Sequence, residues 1–279
     1  FLSLTLDILV INGSADIKIA AYAGHLSDIK RIIYRRGSAI PIKNSAVNRY
    51  LFKHCISDVL ANSEETKRTI NMRFTTMFPL EKIKVIYNPI DTRIFQKKQV
   101  TKTQNEHIVI GNLARLAPQK NQSFLIDLSR ELSLRKIKHK ILIGGTGPLA
   151  QELEKYNKQM KTEQNVSFLG FISDLDSFFN QIDIFLLSSK WEGFGYVLAE
   201  AALYRKPSIA FNVSSNKELV EHGQTGYLVP FGDINQTIED IITLSEREKR
   251  DAFGDAGYQL VLNRFDQHVI YRQLEEFLQ

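Results

Sequence analysis

Two glutamates frame the stretch of this sequence with the clearest chemical potential. SKWEGFGYVLAE, residues 189–200, sets Glu192 and Glu200 eight positions apart around a Gly-Phe-Gly turn. Gly193 and Gly195 give the backbone freedom to turn sharply and approach a ligand. The run YVLAEAALY, rich in helix formers and apolar on one face, predicts a helix starting near Gly195. Glu192 then precedes the helix, and Glu200 lies inside it, about a turn and a half from its start. The open N–H groups of such a first turn attract a diphosphate. A carboxylate on each side of a phosphate site suits hydroxyl-rich groups, such as the two sugars of a nucleotide-sugar.

Arg115 and Lys120 follow the apolar run at 108–112, on the side where open α/β sheets bind ligands. A guanidinium grips phosphate oxygens in pairs, and an ammonium adds compact positive charge. Together they would stabilise the charge developing on a departing nucleoside diphosphate. Position alone also fits two solvated loop cations. Gly145-Thr146-Gly147 with Ala150 spells G-x-G-x-x-A, a weak signal by itself. Its helix follows a proline and no acidic strand end stands about 20 residues on, so a tight turn bordering the nucleotide is the preferred reading. Asp174-Leu175-Asp176 has the spacing of a D-x-D metal motif, but at an expected helix start an aspartate caps N–H groups. No His/Cys cluster has metal-ligand spacing, and the expected chemistry is metal-independent. The six histidines are scattered, none beside a nucleophile or base.

These residues are carried by short apolar runs alternating with amphipathic stretches, the pattern of strand-helix units around parallel sheets. Strands are expected at 7–12, 31–34, 58–61 and 84–87, with helices at 45–56 and 63–74 among the stretches between. A second series places strands at 108–112, 140–143, 166–169, 184–187, 208–211 and 226–229, and helices at 123–135, 149–161, 175–180, 196–204 and 235–244. Ser63 reads as a helix N-cap, with Glu64 and Glu65 suited to the dipole. The polar stretch QKKQVTKTQNEH, residues 96–107, reads as a linker. Residues 267–279 are amphipathic and predict a final helix. Domains are expected at 1–98 and 99–264, with the final helix (265–279) packing back on the first.

Composition sets limits. The chain has 279 residues, 43% of them hydrophobic and 24% charged, an ordinary globular balance. One cysteine, Cys55, excludes an internal disulfide framework and suits a reducing compartment. No apolar run is long enough to span a bilayer. The opening FLSLTLDILVI lacks a basic leader and contains Asp7, so it reads as a helix end or loop followed by a buried strand. The net charge of +5 fits a modestly basic solvated surface, or attraction to phosphates or an anionic membrane face. The basic clusters (Lys30, Arg31, Arg35, Arg36 and Lys43, and LSLRKIKHK at 132–140) are not interleaved with aromatics, which argues against nucleic acid.

The motifs together resemble the family 4 glycosyltransferases, retaining enzymes of the GT-B fold that use nucleotide-sugar donors. NLARLAPQKNQSFLI (112–126) is similar to the family's Arg-x4-Lys segment, IGGTGP (143–148) to its Gly-rich turn, and NVSFLGF (165–171) to the segment near the base. DIFLLSSKWEGFGYVLAEAA carries the E-x7-E element and ELVEHGQTGYLVPFGD resembles the stretch that follows. DVLANSEETK and VIYNPID resemble the end of the acceptor-side domain.

The resemblance implies an α/β protein with two Rossmann-like domains and parallel sheets, the N-terminal one incomplete, because family members open with a further β-α unit and its Gly-rich loop ahead of the position of Phe1. It implies catalytic roles for Glu192, Arg115 and Lys120. Glu192 would meet the donor sugar's hydroxyls and Glu200 the ribose. Gly145, Gly147, Phe171, Gly193, Phe194, Gly195, Tyr196 and Val197 would complete the donor site, with Phe194 and Gly195 lending backbone N–H groups. Trp191 reads as packing rather than sugar stacking. Where some members carry a histidine after the second strand, this chain has Arg35 and Arg36, and Arg36 becomes a candidate contact for an acceptor or phosphate. A glycine commonly replaces Arg205, in a turn read as structural.

The expected activity is transfer from a UDP- or GDP-sugar to a glycan or lipid-linked acceptor, without a cofactor. The expected place is the cytoplasm, at the inner face of an anionic membrane. A nucleotide-sugar epimerase and a non-catalytic nucleotide-sugar-binding fragment are the alternatives. The first would need further acid/base groups, and none is identified.

Overall fold

The computed structural model describes residues 6–93 and 107–279. Residues 96–106 of the expected linker lie outside the described residues. Contacts divide the chain into two units: Phe1–Pro89 with Glu192–Phe194 and His268–Gln279, and Ile90–Trp191 with Gly195–Gln267.

The first unit holds β1 (Ile8–Ile11), α1 (Ile17–Leu26), β2 (Arg31–Arg36), α2 (Ala46–Tyr50), β3 (Asp58–Ala61), α3 (Glu64–Ile70) and β4 (Ile83–Val85). Its four strands pair in parallel in the order β1-β2-β3-β4. Alternate residues of the central strands feed opposite faces. Ile32, Tyr34 and Val59 join Ala21, Phe52 and Phe78 in one core, while Ile33 and Leu60 join Ile86 and Ile270 in another. The second core is closed by Leu274 and Phe277 of the last helix. β1, expected to be buried, is half-buried at an edge of the described sheet, with Val10 44% exposed.

The helix expected at 45–56 changes pitch within its length. α2 passes into a π-helical turn, Leu51–Cys55, closed by Ile56 N–H donating to the Leu51 carbonyl at 3.0 Å. Ser63 caps α3 by accepting from Thr66 N–H at 3.0 Å. That helix stops at Ile70 rather than continuing to 74. Asn71 turns the chain by donating to the Phe78 carbonyl at 2.8 Å and accepting from the Phe78 N–H at 2.9 Å.

The second unit runs β5 (Ile108–Leu113), α4 (Ser123–Leu134), β6 (His139–Gly144), α5 (Ala150–Met160), β7 (Val166–Gly170), α6 (Leu175–Gln181), β8 (Ile184–Leu187), α7 (Tyr196–Leu203), β9 (Ser208–Phe211), α8 (Asn216–Leu219), β10 (Gly226–Val229), α9 (Ile234–Ser245) and α10 (Arg247–Phe265). The last helix, α11 (Gln267–Leu278), belongs to the first unit from His268 onward. Six parallel strands lie in the order β10-β9-β8-β5-β6-β7. β8 is buried at every position and β5 at all but its last, as expected where helices cover both faces. The chain builds outward from β5 to β7, returns to β8 beside β5, and then builds the other way. The direction reverses between β5 and β8, and in such sheets ligands bind beyond the carboxyl ends of the strands at that reversal.

No element was expected at 247–265, where α10 forms. Its charges are distributed around the helix, and it is held by Phe253, Val261 and Phe265, all buried. Arg205 sits at φ +53°, in the left-handed region that favours glycine. Its guanidinium pairs with Asp255 and lies 4.3 Å from the Tyr258 ring centroid, both on α10. The arginine therefore serves as an anchor in a turn where the resemblance expects glycine.

Candidate active site

The segment leaving β5 carries Arg115 and Lys120 and is fixed almost entirely through its main chain. Ala114 N–H donates to the Gly144 carbonyl at 3.0 Å, Leu116 N–H to that of Thr146 at 2.9 Å, and Leu149 N–H to that of Leu116 at 3.1 Å. These bonds stitch it to the Gly-rich turn after β6. A β-carbon at Gly145 would lie 2.0 Å from the Ala114 carbonyl oxygen, and one at Gly147 would lie 2.3 Å from that of Leu116. Both glycines are thus required by close approach of two backbones, with Gly145 also at φ +128°. The turn braces the Arg115 segment, leaving its guanidinium exposed.

The same segment is tied on its other side to the chain leaving β8. Ser188 Oγ donates to the Lys120 carbonyl at 2.8 Å, and Lys190 N–H to that of Gln119 at 2.8 Å. Gln119 Nε2 donates to the Trp191 carbonyl at 2.7 Å. Asn112, buried within β5, donates to the Leu186 carbonyl of β8 at 2.8 Å. Gln122, buried before α4, donates to the Arg115 carbonyl at 3.1 Å. Sequence reasoning missed these bracing residues. A polar Asn inside the run IVIGNL is the one local signal that could have disclosed any of them.

Gly195 is the N-cap of α7 at φ +78°, which fixes the helix start where the Gly-Phe-Gly turn predicted it. Tyr196 is exposed, Val197 half-buried, and the first turn holds no acidic residue. Glu200 is half-buried, and desolvation raises its carboxyl above the ordinary carboxylate range. Trp191, expected to pack, is 47% exposed. Phe171, just beyond β7, is 78% exposed.

Glu192, Gly193 and Phe194 group with the first unit, where Glu192 is 6% exposed. Ser63 Oγ donates to the Gly193 carbonyl at 3.2 Å, and Phe194 lies 5.9 Å from the Tyr87 ring. Arg36, also in the first unit, is buried at the carboxyl end of β2. The sequence-predicted residues are therefore distributed over both units. The carboxyl ends of β5, β6 and β8 collect Arg115, Lys120, Gly145 and Gly147, with α7 adding Gly195, Tyr196, Val197 and Glu200.

The Asp174 and Asp176 carboxylates both have protein partners. Asp174 caps α6 by accepting from Ser177 N–H at 3.0 Å, and Asp176 accepts from Tyr204 Oη. Capping accounts for Asp174, and the hydrogen bond from Tyr204 accounts for Asp176.

An open parallel sheet whose reversal point gathers cations and a glycine-capped helix start defines a Rossmann-like domain. Residues 93–260 match the family model for glycosyl transferases group 1, and the chain belongs to that family. It is 29% identical over 234 residues to the capsular polysaccharide biosynthesis glycosyltransferase CapM of Staphylococcus aureus, covering 79% of this chain and 61% of that protein. It is 27% identical over 197 residues to the UDP-Gal:alpha-D-GlcNAc-diphosphoundecaprenol alpha-1,3-galactosyltransferase of Escherichia coli, covering 66% of this chain and 51% of that one. The chain thus spans half to three fifths of these relatives' lengths. Among solved structures it resembles Anabaena HepE in complex with UDP and glucose, with a TM-score of 0.80 and 24% identity over 98% of this chain and 77% of that chain. The fold is α/β, of the GT-B type, with two parallel sheets. No helix among the described residues is long and apolar enough to cross a membrane.

Proposed function

We propose that this protein transfers a sugar from a nucleoside-diphosphate sugar to a hydroxyl of a glycan or lipid-linked glycan, with retention of anomeric configuration. The carrying observation is that Arg115, Lys120 and the start of α7 all sit on segments leaving the neighbouring strands β5 and β8. In this reading the donor diphosphate lies on the α7 amides, with Arg115 and Lys120 countering the charge that develops as the nucleotide departs. Those two cations do the work that a metal would do elsewhere, and the reaction is metal-independent. Glu200 takes the ribose hydroxyls and Glu192 those of the donor sugar. Gly193, Phe194, Gly195, Tyr196 and Val197 supply the surrounding wall, with Phe171 at the base. The departing phosphate helps take the acceptor's proton as attack occurs on the same sugar face.

UDP is the preferred nucleotide, supported by the UDP in the Anabaena complex and the UDP-Gal in the E. coli relative's name. That relative's diphosphoundecaprenol acceptor and the capsular relative support a lipid-linked or polysaccharide acceptor. With such an acceptor the protein works in the cytoplasm at the inner face of a membrane, and its net charge of +5 favours anionic headgroups.

A thermal-shift panel of UDP-, GDP- and ADP-sugars tests the donor class. A UDP-sugar at 100 times its Kd stabilises by about 2.7 kcal/mol, and equal, negligible shifts for all three would remove the reading. Lys120→Ala or Glu192→Ala should lower transfer by about 100- to 1,000-fold, and turnover equal to the unmodified protein would exclude the assigned roles.

A further inference from the structure

The first unit contains a cavity of about 500 Å³, within the roughly 300–1,000 Å³ of ordinary ligand sites. Lys18, Arg36 and Lys43 line it together with Ser14, Tyr34 and Phe52, and among the described residues no carboxylate does. Asp16, just before α1, turns its carboxylate toward Gly13. α1 begins beside the cavity, at Ile17 and Lys18, with no acidic residue in its first turn and no side-chain cap. The N-cap Asp16 carboxylate lies at that positive end without making a cap hydrogen bond, and the first turn itself adds no further anion.

Arg36 is the decisive group. It is 7% exposed, and its partners are neutral: Nη1 bonds Tyr34 Oη at 3.3 Å and Nη2 bonds the Ile40 carbonyl. Its Nε is buried with no hydrogen-bond partner among the described residues. A buried guanidinium without a countercharge is costly, and an anion entering the cavity would supply that charge and occupy the open donor.

We propose that this cavity binds the phosphate or diphosphate group of the acceptor. The role as acceptor site rests on the glycosyl-transfer reading above, whereas the anion site itself does not. Three cations and a helix start match a group carrying two or more negative charges better than a single carboxylate. The apolar remainder of the lining, Phe52 among it, suits the uncharged part of such a molecule.

The test is calorimetric titration of inorganic pyrophosphate into the full chain carrying Arg115→Ala and Lys120→Ala, so that those cations do not contribute. Pyrophosphate should still bind, and adding Lys18→Ala with Lys43→Ala should weaken it by about tenfold or more at an unchanged melting temperature, both lysines being exposed. Arg36→Lys, which keeps the charge but loses the fork, should also weaken it. Absence of pyrophosphate binding, or binding indifferent to the lysine changes, would overturn the proposal.

UDP titrated into the unmodified chain separates the two readings. UDP binding without the pyrophosphate site removes this inference alone, and pyrophosphate binding without UDP binding removes the donor reading and leaves the site. Phosphatidylcholine vesicles with and without a polyprenyl diphosphate then distinguish the anion's source. Lysine-dependent sedimentation with the doped vesicles assigns a lipid headgroup, and pyrophosphate binding without it assigns a soluble phosphorylated acceptor.

Discussion

At the amino ends of β8 and β9, Asp183 and Lys206 are nearly inaccessible, and the charges there meet charges. Asp183 accepts from Val109 N–H at 2.9 Å and lies 3.6 Å from Arg250, which also donates to the Leu244 and Ser245 carbonyls. At the carboxyl ends of β5, β8 and β9 the buried polar groups are left short. Asn112 Oδ1, Gln122 Oε1 and Ser189 Oγ, with Ser215 Oγ and Asn216 Oδ1 at the start of α8, are buried without a hydrogen-bond partner among the described residues, and two further such atoms of the unit lie on α6 (Asn180) and α9 (Asp240). Buried polar groups are ordinarily satisfied, so a local concentration of exceptions marks where packing is not arranged for stability alone. One end of the sheet holds the structure and the other carries the candidate chemistry.

If that contrast is right, the largest loss of stability comes from disturbing the amino end. Asp183→Asn keeps the shape and leaves Arg250 and Lys206 without their buried countercharge. Breaking such a pair costs about 3–5 kcal/mol, to be read from urea unfolding at constant slope. A loss below about 1 kcal/mol would show that this end is no better satisfied than the other.

Lys206 is the costly charge of this end, and pH exposes it. Desolvation, partly offset by Asp183, lowers its ammonium from the ordinary 10.5 to about 8. The unfolded chain therefore keeps this proton up to pH 10.5, whereas the folded chain gives it up near 8. Between those values the unfolded state binds more protons, so stability rises with pH across the window and is lost as pH falls through 8. At roughly 1.4 kcal/mol per unit the linked energy is about 3 kcal/mol. Lys206→Met should be more stable than the unmodified chain at neutral pH, and the difference should shrink toward pH 10.5. Parallel stability curves would mean that Lys206 is not desolvated.

The stabilising end of the sheet was largely legible in the sequence, and the site end only in part. β8, β9 and β10 fall on their expected bounds because unbroken apolar runs between turn residues mark strands buried on both faces. The Gly195 helix start and the Asp174 cap were legible because each is decided by residues within one turn. α10 was not, since its sequence lacks a continuous apolar stripe and its helix is settled by packing against the rest of the unit. Nor were Gln119, Gln122 and Ser188, whose side chains matter by reaching the main chain of another segment; Gln119 bonds Trp191, 72 positions away. The glycines of the Gly-rich turn were legible as a turn, but their cause, contact with Ala114 and Leu116, is tertiary.

The smallest effect discriminates most finely between the ends, and it uses two adjacent serines. Ser188 and Ser189 are both fully buried just beyond β8. Ser188 Oγ holds the Lys120 carbonyl, whereas Ser189 Oγ has no partner. Removing a hydrogen-bonding hydroxyl costs about 1 kcal/mol, and more when it leaves a buried carbonyl short. Removing an unpaired buried hydroxyl recovers its desolvation cost instead. Ser188→Ala should therefore lower stability by about 1 kcal/mol and weaken UDP binding by loosening the Lys120 segment. Ser189→Ala should leave stability unchanged or raise it by about 0.5 kcal/mol in the same denaturant experiment. If Ser189→Ala costs as much as its neighbour, its hydroxyl is bonded in solution, and the carboxyl end of the sheet is as well satisfied as the amino end.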